Sequence, residues 1–195
     1  MTTLPKIYLV RHGETEWSLT GRHTGRTDVP LTPRGEARAA DLRLRLRPFH
    51  FDHILTSPSL RARRTCQLAG YAHLAKIDED LHEWDYGPYE GLTTQQIHAT
   101  NPAWNIFRDG SPAESPAQMS ARADRVISRL RQQGGDTLLF SSGHFLRSLA
   151  ARWTNLPVSA GQSLACDPAS LSILSYEHNP SDPVIKMWNE CPASD

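Results

Sequence analysis

Lys6-Ile7-Tyr8-Leu9-Val10, followed at once by Arg11-His12-Gly13, is the stretch on which the fold turns. This short apolar run, rich in strand formers, reads as a buried strand, because a strand covered on both faces has no polar side to show. The polar break comes directly at its C-terminal end. His53 to Thr56 and Thr137 to Phe140 repeat the pattern, and the third ends at Ser141-Ser142-Gly143-His144. Between these runs lie helical segments. Thr32-Pro33 sets an N-cap and a first-turn proline for a helix toward Arg47. Ser57-Pro58 opens a second helix reaching about Ala69. From Pro116 to Gln133, Met119, Ala123, Val126, Ile127 and Leu130 recur at helical spacing. A helix follows Gly143 to Trp153, and Ser170–Tyr176 and Pro183–Met187 close the chain as strands. Strands alternating with helices predict an α/β fold with a largely parallel sheet. Ligands of such sheets sit beyond the strands' carboxyl ends, where Arg11-His12-Gly13 and Ser142-Gly143-His144 would meet.

Composition narrows the function. The 195 residues suggest one domain, 1–195, with the irregular, aromatic-rich stretch 78–116 as a lid over the sheet. Lys+Arg and Asp+Glu both number 21, a balance that argues against a nucleic-acid-coating protein. No apolar run approaches the ~20 residues of a membrane helix, and Met1 to Lys6 carries no secretion signal, so a cytoplasmic protein is expected. Cys66, Cys166 and Cys191 form neither a disulfide framework nor a four-cysteine zinc site; Cys66 reads as core. Three lysines leave 18 of the 21 basic residues to arginine. Genome composition suffices to explain the skew, yet Arg is also the side chain for forked capture of phosphate or carboxylate. His50 and His53 are spaced for a metal on a helix, but Pro48 and the strand at 53 remove the helix.

Histidine next to arginine at a strand end suits attack on phosphorus: neutral imidazole is nucleophilic near pH 7, and guanidinium neutralises the oxygens. Taken alone, the pair fits a strand cap better. The longer run changes this. Arg11-His12-Gly13-Glu14-Thr15-Glu16-Trp17-Ser18, Gly21-Arg22-His23-Thr24-Gly25-Arg26-Thr27-Asp28-Val29-Pro30-Leu31-Thr32, Thr56-Ser57-Pro58-Ser59-Leu60-Arg61 and Leu81-His82-Glu83-Trp84-Asp85-Tyr86-Gly87-Pro88-Tyr89-Glu90-Gly91 stand in one order. That order resembles the histidine phosphatase, or phosphoglycerate mutase-like, superfamily over nearly the whole chain. The phrases from Glu83 to Gly91 and from Trp104 to Gly110 are similar to its acid-phosphatase-like bacterial members and its sedoheptulose-bisphosphatase.

The resemblance implies a three-layer α/β/α fold and a phosphatase acting on small phosphate monoesters, phosphorylated sugars or sugar acids, through a phosphohistidine. It implies His12 as nucleophile and Glu83 as proton donor and acceptor. It implies Arg11, Arg61, Ser142 and Gly143 around the phosphate, aided by free N–H groups of the helix beginning near Pro58. Ser18, Thr24 and Gly25 would touch substrate. A donor must hold a proton, so Glu83 is expected to have a raised pKa from burial under Trp84 and Tyr86. Trp17, Trp84, Tyr86 and Trp104 are expected to wall the cleft. No metal or organic cofactor is needed, and a homodimer is left open. A longer basic insertion marks the mutases; the compact stretch from Thr93 to Pro116 favours hydrolysis.

One departure stands out. The family places histidine before the glycine that follows the third strand, and here that residue is Ser142. His144 falls at a variable position that is often histidine, and is read as not a displaced catalytic residue. An engineered change, a low-activity or phosphate-binding relative, and rescue by His144 all stay open. Loss of such a donor costs about 10²–10³ in rate.

Overall fold

A computed structural model describes residues 4–191; Met1–Thr3 of the N-terminal stretch and the last four residues of the expected 1–195 domain lie outside it. Six strands form one sheet: β1 (Ile7–Arg11), β2 (His53–Thr56), β3 (Lys76–Ile77), β4 (Thr137–Ser141), β5 (Leu171–Tyr176) and β6 (Pro183–Glu190). The order is β3-β2-β4-β1-β5-β6. β1, β2, β3 and β4 pair in parallel, while β5 runs antiparallel to β1 and to β6. β3 has no counterpart in the sequence reading: two exposed residues joined to Leu55 and Thr56 carry no periodicity to read.

The helices are α1 (Glu16–Leu19), α2 (Pro33–Leu46), α3 (Leu60–Leu68), α4 (Thr94–His98), α5 (Ile106–Asp109), α6 (Pro116–Gln133) and α7 (Gly143–Trp153). Neighbouring side chains of a strand point to opposite faces, and β1 shows the result. Ile7 and Leu9 join one apolar cluster with Met119, Val126 and Leu130 of α6 and Leu146 and Leu149 of α7. Tyr8 and Val10 join the other with Leu42 and Leu46 of α2 and Cys66 of α3. Helices therefore cover both faces, giving three layers. Cys66 sits in this core, and burial pushes its thiol up to about 12. No helix among the described residues is long and apolar enough to cross a membrane.

Two expectations need correcting. α3 begins at Leu60, not Pro58, because the Ser57 hydroxyl accepts from the Ser59 N–H and delays the first turn. The Leu60 N–H is not free either; the Asp28 carboxylate takes it at 2.7 Å. The stretch 78–116 contributes Leu81, Trp84, Tyr86, Ile97, Trp104, Ile106 and Phe107 to the first cluster.

Candidate active site

Parallel pairing brings the two strand ends together. Arg11 lies opposite Ser141, and the His12 N–H donates to the Ser141 carbonyl at 2.9 Å. The turn after β1 is held by close approach: a Cβ on Gly13 would lie 2.6 Å from the Gly35 carbonyl oxygen, and the Gly13 N–H donates to Thr65 Oγ1. His12 is buried and its Nδ1 stands 2.8 Å from its own neighbour's carbonyl, that of Gly13. A carbonyl only accepts, so Nδ1 carries the proton and Nε2 keeps its lone pair. Burial, with Arg61 and Arg11 adding to it, holds the imidazole well below its ordinary pKa, so it is neutral at neutral pH.

Arg11, His12, Ser18, Arg22, His23, Thr24, Glu83, Tyr86 and His144 line a small cavity of about 70 Å³. Five residues expected at the site are thus brought together: Arg11, His12, Ser18, Thr24 and Glu83. Arg61, Gly25, Ser142 and Gly143 sit one layer behind. Arg61 is fully buried and donates to the carbonyls of Thr24, Gly25 and Thr27 and, at 3.3 Å, to Ser142 Oγ. Gly25 has its N–H on Glu90 Oε1 and its carbonyl on Arg61, so its backbone is not left for a substrate. Gly143 gives room to Arg11, whose guanidinium a Cβ there would meet at 3.3 Å. The Nε of Arg11 and the Nε of Arg61 are buried without a partner among the described residues. Buried guanidinium donors of this kind mark an anion site.

Glu83 reverses an expectation. Its carboxyl is buried, which raises a pKa, but Oε1 accepts from the N–H groups of Trp84 (2.8 Å) and Phe145 (2.7 Å) and Oε2 from that of His144 (2.9 Å). The His144 ring first, and then these backbone donors, outweigh burial and hold the group well below the usual carboxylate range. The backbone N–H groups come from the first turn of α7, 61 and 62 residues away, where no local pattern announces them.

The aromatic wall is also narrower than expected. Only Tyr86 reaches the cavity; Trp84 is in the core with its indole N–H on the Glu114 carbonyl, Trp104 stands edge-on behind His23, and Trp17 lies against Gly91. Arg22 and His23 line the cavity without having been singled out, and His144, read from the sequence as not a displaced catalytic residue, lines it too. Arg22-His23 directly precede Thr24 in the quoted motif, which is the signal that could have found them. Burial and the nearby His144 lower His23 to about 4.

A model of the histidine phosphatase superfamily (branch 1) matches residues 7–191. An acid phosphatase of Mycobacterium tuberculosis is 40% identical over 178 residues, 89% of this chain and 87% of its own length. The sedoheptulose 1,7-bisphosphatase of Saccharomyces cerevisiae is 38% identical over 187 residues, 79% of this chain and 69% of its own. Among solved structures, that of a functionally characterised Mycobacterium tuberculosis open reading frame superposes with a TM-score of 0.91 at 38% identity, spanning 96% of this chain and 98% of that one.

Proposed function

The chain belongs to the histidine phosphatase superfamily, branch 1, and from that premise we propose how it works as a phosphoric monoester hydrolase. His12 Nε2 attacks phosphorus, the ester P–O bond breaks, and a phosphohistidine forms; water then attacks phosphorus, the P–N bond breaks, and inorganic phosphate leaves with the Nε2 lone pair restored. The observation that carries this reading is the fixed tautomer of His12: with Nδ1–H on the Gly13 carbonyl, the lone pair of Nε2 is the ring's only free nucleophile. Arg11, from the end of β1, and Arg61, from the first turn of α3, neutralise the transferring group.

Glu83 protonates the leaving alcohol and later takes a proton from water. Its depressed pKa means that the free site holds a carboxylate. The proton enters with the substrate, since a phosphate monoester keeps its second proton up to a pKa of about 6. Activity should therefore rise toward acidic pH. The cavity, at about 70 Å³, is far below the ~300–1,000 Å³ that enclose a whole drug-sized ligand, so it takes the phosphoryl group and leaves the alcohol outside, beside Arg22 and His23. A small polar alcohol fits that rim, which supports a phosphorylated sugar or sugar acid. The same reading treats the chain as one domain, with 78–116 as a fixed wall over the site.

Ser142 supports a second reading, a phosphate-binding relative with little turnover, because a neutral hydroxyl already engaged with Arg61 adds no positive charge. Release of phosphate from p-nitrophenyl phosphate between pH 4.5 and 7.5 (roughly one and a half units each side of that substrate pKa) tests both. Where no other side chain supplies the missing donor, Ser142→His raises turnover about 10²–10³-fold, and His12→Ala should abolish it in either case. A native chain as fast as Ser142→His refutes the impairment. Phosphate binding without turnover in any of the three favours the binder.

A further inference from the structure

His144 is the second residue of α7, and its ring lines the same cavity as His12 and Glu83. Ser142, two residues earlier, does not; its Oγ is buried against Arg61. The imidazole that the β4–α7 turn presents to the cavity therefore comes from position 144. Its ring is held on several sides. Nδ1 stands 2.6 Å from the Tyr86 hydroxyl and 3.7 Å from Glu83 Oε2, and the ring packs against Phe107 and Tyr86 with centroids 5.3 and 6.0 Å away. About a quarter of the side chain stays exposed. With Nδ1 taken by Tyr86, Nε2 is the nitrogen left for the cavity.

We propose that His144 is a catalytic residue of this chain, donating from Nε2 to the transferring phosphoryl group in the place that Ser142 leaves open, with Tyr86 as its positioning residue. No bond to His144 forms or breaks; it stabilises charge on the phosphoryl oxygens as P–O cleavage proceeds. For this role the Tyr86 hydroxyl donates to Nδ1, which leaves the ring proton on Nε2 as the donor, and the Glu83 carboxylate is then held by its three backbone N–H groups. The groups facing the ring are Glu83 and Tyr86 from the 78–116 segment, His23 from the loop after α1, Arg11 from β1 and Arg147 from α7 itself. Burial, Arg147 and Arg11 lower its proton affinity against the pull of Glu83, so the donor is the neutral ring near pH 7.

This inference rests on the phosphatase reading, and one set of variants separates the two. Turnover of p-nitrophenyl phosphate is measured for the native chain, His144→Phe, Ser142→His and the double variant, with inorganic phosphate affinity of each by calorimetry. His144→Phe keeps a planar ring of similar size without a donor. It should lower kcat about 10²-fold or more in the native chain and under about 10-fold beside Ser142→His, where a second imidazole is supplied. Tyr86→Phe should lower kcat by about 10-fold with KM little changed. Equal losses in both backgrounds would overturn the proposal while leaving the phosphatase standing. A native chain without turnover beside an active Ser142→His would overturn the proposal and keep the phosphatase; should neither turn over, the phosphatase reading falls, and phosphate affinity decides for His144. A roughly tenfold weakening in His144→Phe upholds the contact, and unchanged affinity overturns it.

Discussion

Replacing Arg122 by Met should strongly destabilise the fold. Its Nε and Nη2 grip the two Glu114 oxygens at 2.9 Å each, and its nitrogens also donate to the carbonyls of Asp80 (2.9 Å), His82 (2.6 Å) and Glu83 (3.3 Å). The guanidinium stacks over Phe145 at 5.0 Å, and both partners of the ion pair are 11% exposed. Removing one member of a buried, hydrogen-bonded pair strands the other charge and costs about 3–5 kcal/mol. The lost cation–π contact adds ~0.5–1 kcal/mol. The total, about 3.5–6 kcal/mol, is a large share of the ~5–15 kcal/mol that holds a domain folded. Urea unfolding followed by tryptophan fluorescence reports it directly, since Trp84 donates to the Glu114 carbonyl. Adding Glu114→Gln removes the stranded charge and keeps an acceptor for the Asp85 N–H, so the double variant should recover about 1–2 kcal/mol. A cost below about 1 kcal/mol for Arg122→Met, or strict additivity in the double variant, would refute the reasoning.

Two titrations give distinct pH windows for stability. The Glu83 carboxyl lies below its ordinary value in the fold, so it stabilises the chain above the unfolded pKa of about 4.3 and that contribution is lost as pH falls further. Glu83→Gln should flatten urea midpoints measured from pH 5 to 3. His23 is lowered to about 4, so the unfolded chain binds a proton that the fold refuses, and stability drops as pH falls from about 6.5 toward 4. His23→Gln should flatten that window instead; unchanged slopes in either variant would contradict the assignment. Gly35→Ala should cost about 1–3 kcal/mol or more by thermal unfolding, because its Cβ would press on the Glu14 backbone and part α2 from the loop carrying His12. A melting temperature equal to that of the native chain would show that α2 can give way.

The elements most legible in the sequence were those with strong local signatures. The buried runs of β1, β2 and β4 and the helical period of α6 need no distant partner to be read, and Thr32-Pro33 capped α2 as expected, with Thr32 accepting from the Gly35 N–H. β3 and the start of α3 escaped because a two-residue pairing and a serine turn leave no such signature. Of the site, the sequence named His12, Glu83, Arg11, Ser18 and Thr24, all of which line the cavity.

What the order of residues determined by itself, then, was the alternation that places two polar turns at neighbouring strand ends, and with it the family. Tertiary structure decided the chemistry of each group there. Glu83 is held ionised by N–H groups of α7 that fold onto it, against the burial that its neighbours in sequence imply. Arg61 spends its donors on the 24–27 loop, and His144, not Ser142, faces the cavity. A pKa and a hydrogen-bond inventory are sums over everything within a few ångströms, and at this site most of those atoms come from residues far away along the chain.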